Sequence, residues 1–475
     1  MKLRFLSMAI AATLSFNAVG ATNYEIRLPS GANATPATIP VGLTLAAATL
    51  SSVKQGKSFL YDFSTLLEIS GDNPPAPNEI VWSSSGLLPD GLSLSSTGGL
   101  SGTTTTSGVS SFSITATSTD TSVTTNYSLS IDALVSVVPS KLYSSRYSAY
   151  LVDTSSQLWG TGRNSEGQFG NGSTSNNYGT WVKIATNVKS VGRGNGSSTL
   201  VVKNDGTLWV TGSNGSGQLG LGSGNTKFLT LTDTGATNVK KAAGGYNMAY
   251  YLSNNGDIYS AGSDTYGQLA NSGGSKTTWT FVASGYLDIE AGYSHLMARN
   301  TSGQLMMAGQ NNQYQLSTGN QLSKTSLYNT GRSFNHTASF GQNTLGLSGT
   351  TLYAIGYNFN GTLGDGATTS PITSFKVVAS GVSKIYPHQG FNMYVNTSGK
   401  LYGTGSIGYN QIGLPNSTYY SWTYTGMNNV ADVAPTYWAS LVLKNDGTLW
   451  GTGNLSYVGG DSNATTWTSI ALPAE

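Results

Sequence analysis

One short pattern recurs seven times in this chain at a near-constant interval, and it constrains the fold of the last 340 or so residues more than any other feature. Residues 153–162 read DTSSQLWGTG and residues 203–212 read KNDGTLWVTG. The series continues with SNNGDIYSAG (253–262), NTSGQLMMAG (300–309), GLSGTTLYAIG (346–356), NTSGKLYGTG (396–405) and KNDGTLWGTG (444–453). The closing glycines are 50, 50, 47, 47, 49 and 48 residues apart. A period of this length marks a chain that stacks copies of one supersecondary unit.

Each copy reads as an apolar strand, a tight turn and a second apolar strand, as in STLVVKNDGTLWVTG. Asp-Gly and its variants supply the positive-φ positions that a hairpin requires. A further strand lies upstream and ends in small residues: VKSVGRG (188–194), VKKAAGG (239–245), YLDIEAG (286–292). A fourth lies downstream: TWVKI, KFLTL, TWTFV, SLYN, SFKVV, SWTYT, TWTSI. Four strands in about 48 residues make one blade of a β-propeller. A lone blade cannot bury both faces, so the repeats predict a closed ring of seven blades over residues 138–475.

Only 9% of the residues are charged, while there are 61 glycines and 27 tyrosines. This composition fits an all-β chain whose surface is made polar by hydroxyls and amides. Net charge is +2, with no basic run. Nucleic-acid affinity rests on clustered Lys and Arg, so no nucleic-acid partner is expected. The chain begins MKLR, then FLSMAIAATLSF, then NAVGA ending near Ala21. A basic start, a short apolar core and a small-residue cleavage site predict a secretory signal peptide over residues 1–21 and a secreted or cell-surface location. No later stretch is apolar enough to predict a membrane span. There is no cysteine, so stability must come from packing.

Residues 22–47, rich in Ala, Thr and Pro, are expected to be a lead-in segment. Residues 48–133 alternate apolar and polar residues as half-buried strands do. Phe112, Ile114 and Ala116 share one face, as do Tyr127, Leu129 and Ile131. Between such strands lies LPDGLSLSSTGGLSG (88–102). This stretch resembles the Ig-like, or cadherin-like, domains of bacterial exported proteins. The resemblance implies a β-sandwich used as a spacer or adhesive module. Some such domains bind calcium, but Asp72, Asn73, Asp90 and Asp120 are too sparse here, and turn roles are expected for them.

The stretches after the hairpins read GRNSEGQFGNG (162–172), GSNGSGQLGLG (212–222) and GSDTYGQLANS (262–272). With AAGGYNMAYYLSNNGDIYSAG (242–262), they resemble the RCC1 (regulator of chromosome condensation) repeat family. The resemblance covers residues 138–475 and implies a seven-bladed β-propeller. Later repeats depart from the Gly-Gln-Leu motif: NQYQLS (312–317), FNGTLG (359–364), GYNQIG (408–413) and LSYVGG (455–460). The founding nuclear protein exchanges nucleotide on a small GTPase and binds chromatin. Neither role is carried over to a chain with an export signal and no basic run. Exported RCC1-like propellers include a β-lactamase inhibitor that binds its enzyme through loops on one face, which supports a binding role by analogy.

Catalytic motifs are sparse. The histidines are His295, His336 and His388; a metal or triad site across adjacent blades is one reading, and three unrelated polar residues the favoured one. The loop carboxylates Glu166, Asp264, Asp288, Glu290, Asp365 and Asp461 form no recognisable pair by spacing. No cofactor, metal or catalytic residue is expected. Aromatics repeated at one register, such as Trp159, Trp209 and Trp450, or Trp181, Trp279, Trp422 and Trp467, are expected to pack the blades. Sixteen residues before each closing glycine stand Arg146, Gly196, Tyr246, Tyr293, Phe340, Gln389 and Tyr437, at the tips joining first and second strands. With Phe391 and Trp438 beside them, Arg146, Tyr246, Tyr293, Phe340 and Tyr437 are the candidate ligand-binding residues. Four or five residues after the glycines stand Glu166, Tyr266, Tyr314, Tyr409 and Tyr457, expected on the opposite face. These readings predict a non-enzymatic binding protein for a protein or carbohydrate ligand, as a monomer or as part of a surface assembly. The alternatives are a structural or adhesive component of that assembly and a hydrolase at the propeller mouth.

Overall fold

The computed structural model describes residues 38–473 apart from 134–136, 193, 195–196, 223–224, 272 and 461–462. The expected signal peptide, the tip residue Gly196 and the carboxylate Asp461 lie outside the described residues. The chain divides into two compact units, residues 1–134 and 135–475.

The first unit contains β1 (Gly42–Leu45), β2 (Val53–Lys54), β3 (Ser58–Asp62), β4 (Leu67–Ser70), β5 (Val81–Gly86), β6 (Leu92–Leu94), β7 (Gly99–Thr103), β8 (Gly108–Thr117) and β9 (Ser122–Asp132). They form sheets ordered β2-β9-β8-β5 and β3-β7-β6 and the pair β1-β4. The alternation seen in the sequence sets the core: Phe112, Ile114 and Ala116 from β8 and Tyr127, Leu129 and Ile131 from β9 are buried together with Phe63 and Leu100. Strand β1 lies within the segment expected to be a lead-in, and pairs from Gly42 to Leu45 with Ser70 to Leu67. Leu45 is buried in the core and the Tyr127 hydroxyl donates to Ala46 O, so the sandwich starts before residue 48. Four residues carry too little alternation to be read as a strand unaided. Within the Leu-Pro-Asp-Gly-Leu stretch and its sequel, Gly98 (φ +87°) is held against the Trp82 ring; a Cβ there would lie 2.7 Å from Cε2. Asp90 accepts from the Thr106 hydroxyl at 2.5 Å and Asp72 from Ile39 N at 3.0 Å, so each ties down a segment distant in the chain.

The second unit is a succession of seven four-stranded antiparallel sheets, each with its strands in chain order. Blade 1 comprises Pro139–Ser144, Ser148–Asp153, Leu158–Gly162 and Asn177–Ala185. The first strands of blades 2 to 7 are Val188–Gly192, Val239–Gly244, Tyr286–Ala291, His336–Ala338, Val382–Pro387 and Val430–Pro435, and together with the first strand of blade 1 they line a central channel. Second strands are nearly all apolar and buried, as between two packed faces: Leu151 in blade 1, Leu200 in blade 2 and Leu441 in blade 7 are fully enclosed.

The loop motif after each third strand is structural. Asn214 Oδ1 accepts from Leu219 N at 2.9 Å, and Gln218 Oε1 accepts from Ser216 N at 2.9 Å. Asn164, Asp264, Asn311 and Asn358 repeat the first bond, and Gln168, Gln268, Gln315 and Gln411 the second. The glycine closing the motif lies against the fourth-strand tryptophan of the next blade: Gly220 on Trp279, Gly364 on Trp422, Gly413 on Trp467. Gly459 of blade 7 meets Trp181 of blade 1 in the same way. Trp467 Nε1 donates to Thr425 O of blade 6 at 3.0 Å, and Trp181 Nε1 donates to Ala471 O beyond blade 7 at 3.3 Å. Leu142, Leu151 and Trp159 share a core cluster with Leu441, Leu443 and Leu455. The seventh blade therefore packs on the first as the sixth packs on the seventh, and the ring is closed.

Candidate functional site

In a four-stranded meander the turn joining strands one and two and the loop joining strands three and four lie at the same end. The tips and the post-hairpin loops therefore share one face of the propeller, and the expectation that Tyr409 and Tyr457 occupy the opposite face is corrected. Trp438 stacks on Tyr457 (5.0 Å, 20°) and meets Tyr409 edge-on (5.1 Å) and Tyr437 (4.7 Å). Tyr147 lies 5.7 Å from Tyr437, and Tyr178 lies 4.7 Å from Tyr457. Six rings drawn from blades 6, 7 and 1 thus form one continuous cluster.

The tips are joined around the channel by backbone hydrogen bonds. Tyr246 N donates to Tyr293 O (3.0 Å), Tyr293 N to Gly341 O (2.9 Å) and Tyr437 N to Arg146 O (2.8 Å). Tyr246 and Tyr293 stack at 4.6 Å and 15°. Tyr246 and Tyr437 keep 40% and 38% of their surface exposed, enough to offer a face to a ligand. The Arg146 guanidinium lies 5.1 Å from the Tyr147 ring centre and 5.9 Å from that of Tyr437, and the Arg163 guanidinium lies 5.1 Å from the Tyr147 ring centre.

Of the seven candidate residues, Arg146, Tyr246, Tyr293, Tyr437 and Trp438 come together at this mouth. Phe340 and Phe391 do not reach the surface, with 2% and 1% exposed. The blade 5 hairpin is one residue shorter than that of blade 4: Asn343 pairs with Gly356, whereas His295 pairs with Gly309. Counting back from Gly356 therefore overshoots, and the residue at the tip is Gly341. Phe391 opens a second strand, at the register of the buried Met248 and His295. Both phenylalanines flank His388 with ring centres at 4.8 Å. Burial, with the positive charge of Arg146 adding to it, pushes His388 down to about 3.

The other histidines are apart from it. His295 is buried above Gly292, and burial lowers it to about 4. His336 is exposed in the channel. No group of three metal-type ligands occurs among the described residues.

Nearer the start of the first strands the channel widens into a cavity of about 740 Å³. Seven register-equivalent residues line it: Lys141, Ser190, Lys241, Asp288, His336, Lys384 and Asp432. Lys384 Nζ donates to Ala431 O (2.6 Å), and Lys240 Nζ to Leu287 O (2.8 Å), so these lysines tie one blade to the next. Lys241 Nζ bridges Asp288 (2.8 Å) and Glu290 (2.6 Å). Burial disfavours its ammonium, but the two carboxylates outweigh that and hold its pKa above the ordinary lysine value. Asp288 and Glu290 stand two apart on one strand, which places them on one face, a pairing the spacing already contained. Of the remaining loop carboxylates, Glu166 pairs with Lys227 (3.5 Å), Asp365 with Lys376 (2.8 Å), and Asp264 caps its loop.

Residues 43–132 match the family model described as "Putative Ig domain". No curated protein matches the chain in sequence. Among solved structures the chain is similar to Prp20p from Saccharomyces cerevisiae, with 17% identity over 70% of this chain and 87% of that one and a TM-score of 0.59. Yeast RCC1 (Prp20) bound to Kap60 gives 17% identity, 70% and 84% coverage and a TM-score of 0.57. Human WBSCR16 gives 17% identity, 62% and 85% coverage and a TM-score of 0.55. At such identities the likeness is one of fold. The chain thus joins an Ig-like β-sandwich to a β-propeller of the RCC1 fold.

Proposed function

We propose that this is an exported, non-enzymatic binding protein. The tip face of its propeller engages a protein ligand, and the Ig-like domain serves as a spacer. The observation that carries this reading is the cluster of Tyr147, Tyr437, Trp438, Tyr409, Tyr457 and Tyr178 at one end of the ring, with Arg146 and Arg163 against it. Tyrosine, tryptophan and arginine are the residues that dominate binding energy at protein interfaces. The blades hold these tips through backbone bonds between neighbours, so little conformational entropy is lost on binding. Proteins of this fold support a protein ligand: Prp20p binds Gsp1p and histones, and Kap60 binds yeast RCC1 (Prp20). A photo-crosslinking amino acid at position 437 is expected to capture a partner on the producing cell's surface or in its medium; the same group at Phe281, on an outer strand, is not. Tyr437→Ala and Trp438→Ala should each weaken binding to the captured protein by about 10- to 30-fold. Binding that survives both changes, or selective retention of a glycan on an array, would refute the assignment to a protein ligand.

A second reading, a structural or adhesive component of a surface assembly, is favoured by the sandwich. Strand β5 is an edge of its sheet and carries an exposed Val81, a position open to strand pairing.

A further inference from the structure

We infer that the propeller mouth is a carboxylate site: an acidic side chain or chain terminus of the protein ligand docks on the guanidinium of Arg146. The inference rests on the reading above for the choice of face, and adds the chemistry that face selects. Arg146 stands at the tip of blade 1, and its main chain is fixed by Tyr437 of blade 7. Its guanidinium lies against the rings of Tyr147 and Tyr437. Burial raises the Tyr293 phenol of blade 4, and the positive charge of Arg146 acts on it in the opposite sense; the same charge is felt at His388 of blade 6.

That cation has no counter-charge among the described residues. Arg146 makes no ion pair with a described carboxylate, and its Nε is buried without a hydrogen-bond partner. Arg163, on the same tyrosine, gives its Nε–H to Ser165 Oγ (2.7 Å) and likewise makes no ion pair with a described carboxylate. Glu166, close by in sequence, is turned to Lys227. His388 is held neutral beneath. An arginine in this setting presents planar donors while the surrounding rings exclude water, and a carboxylate matches that fork with two parallel hydrogen bonds. Two guanidiniums neutralise one or two negative charges, not the run of phosphates on a nucleic acid.

The test uses the full chain, with N-acetyl-glutamate as probe and N-acetyl-glutamine and inorganic phosphate as controls at constant ionic strength. Arginine Nε–H resonances and tryptophan fluorescence report occupancy. The glutamate analogue is expected to saturate in the millimolar range and the neutral amide to bind at least about ten-fold more weakly. R146Q should abolish the response, and R146K, which keeps the charge but loses the fork, should weaken it about ten-fold. R332Q, on an exposed fourth strand, should leave it unchanged. Near-UV circular dichroism identifies any variant that has lost its fold, and R163Q then serves as the second probe of the site, with an expected loss of several-fold. Equal binding of the two amino-acid analogues, no saturation by about 50 mM glutamate analogue, tighter binding of phosphate, or an R146Q protein that titrates like the parent would overturn the inference. Loss of the crosslinked partner with carboxylate binding intact would sink the proposed function alone; partner binding that is indifferent to R146Q would sink the carboxylate site alone.

Discussion

Trp181→Ala tests whether the propeller is a closed ring. In an open stack the first blade would have no neighbour on that side, and Trp181 would face solvent. In the structure its ring lies against Gly459 of blade 7, and its Nε1 donates to Ala471 O at 3.3 Å. Truncating a fully buried tryptophan costs about 3–5 kcal/mol. Trp181 is half-buried, which scales this to about 2 kcal/mol, and the hydrogen bond adds about 1 kcal/mol. The expected loss is therefore about 2–3 kcal/mol, a Tm lower by about 3–4 °C for a unit of this size. Trp467→Ala is the internal reference, because Trp467 makes the same pair of contacts with Gly413 and Thr425 O at the junction of blades 6 and 7. Urea titrations followed by near-UV circular dichroism give both values. A closed ring requires the two losses to agree within about 1 kcal/mol. A Trp181→Ala protein as stable as the parent, beside a weakened Trp467→Ala, would refute the reasoning.

Other consequences are as direct. Gly364 (φ +71°) would bring a Cβ within 2.5 Å of Trp422 Nε1, whereas Gly447 (φ +82°) has open space. Gly447→Ala should cost about 1–2 kcal/mol from the left-handed backbone alone, and Gly364→Ala about 1–3 kcal/mol more from overpacking, measured by the same titrations. His295 and His388 have ordinary values of 6.5 lowered by burial to about 4 and about 3. The unfolded chain therefore binds more protons than the native one between these values and 6.5, and stability should fall as the pH drops through that window. The double variant His295→Met and His388→Phe, the first copying Met248 of blade 3, should show a flatter dependence of Tm on pH. Lys241→Met leaves Asp288 and Glu290 facing each other without the ammonium between them. It should destabilise the propeller at neutral pH by about 1–3 kcal/mol, less than a fully buried pair because the site is partly solvated. Acidification below about pH 4 should recover much of that loss as the carboxylates are protonated.

The repeat period, the hairpin chemistry and the alternation in residues 111–131 carried the architecture, because each is a local demand: a turn needs its glycine, a half-buried strand its alternate apolar residues. The Asn and Gln of the loop motif were legible as a pattern for the same reason, since each bonds main-chain groups within five residues. What a residue faces depends on distant segments, and there the one-dimensional reading failed in specific ways. A single missing residue in the blade 5 hairpin moved Phe340 from the tip to the interior. Chain order within a meander placed Tyr409 and Tyr457 on the same face as Trp438. Lys241 found its two carboxylates 47 and 49 residues away, one blade on. The sequence alone determined what each blade is, because a blade is made by neighbours along the chain. Only the closed ring decided what the blades do together, because the approach of Tyr437 of blade 7 to Arg146 of blade 1 and the bonds from Lys240, Lys241 and Lys384 to the next blade are made by the packing of blades around the ring.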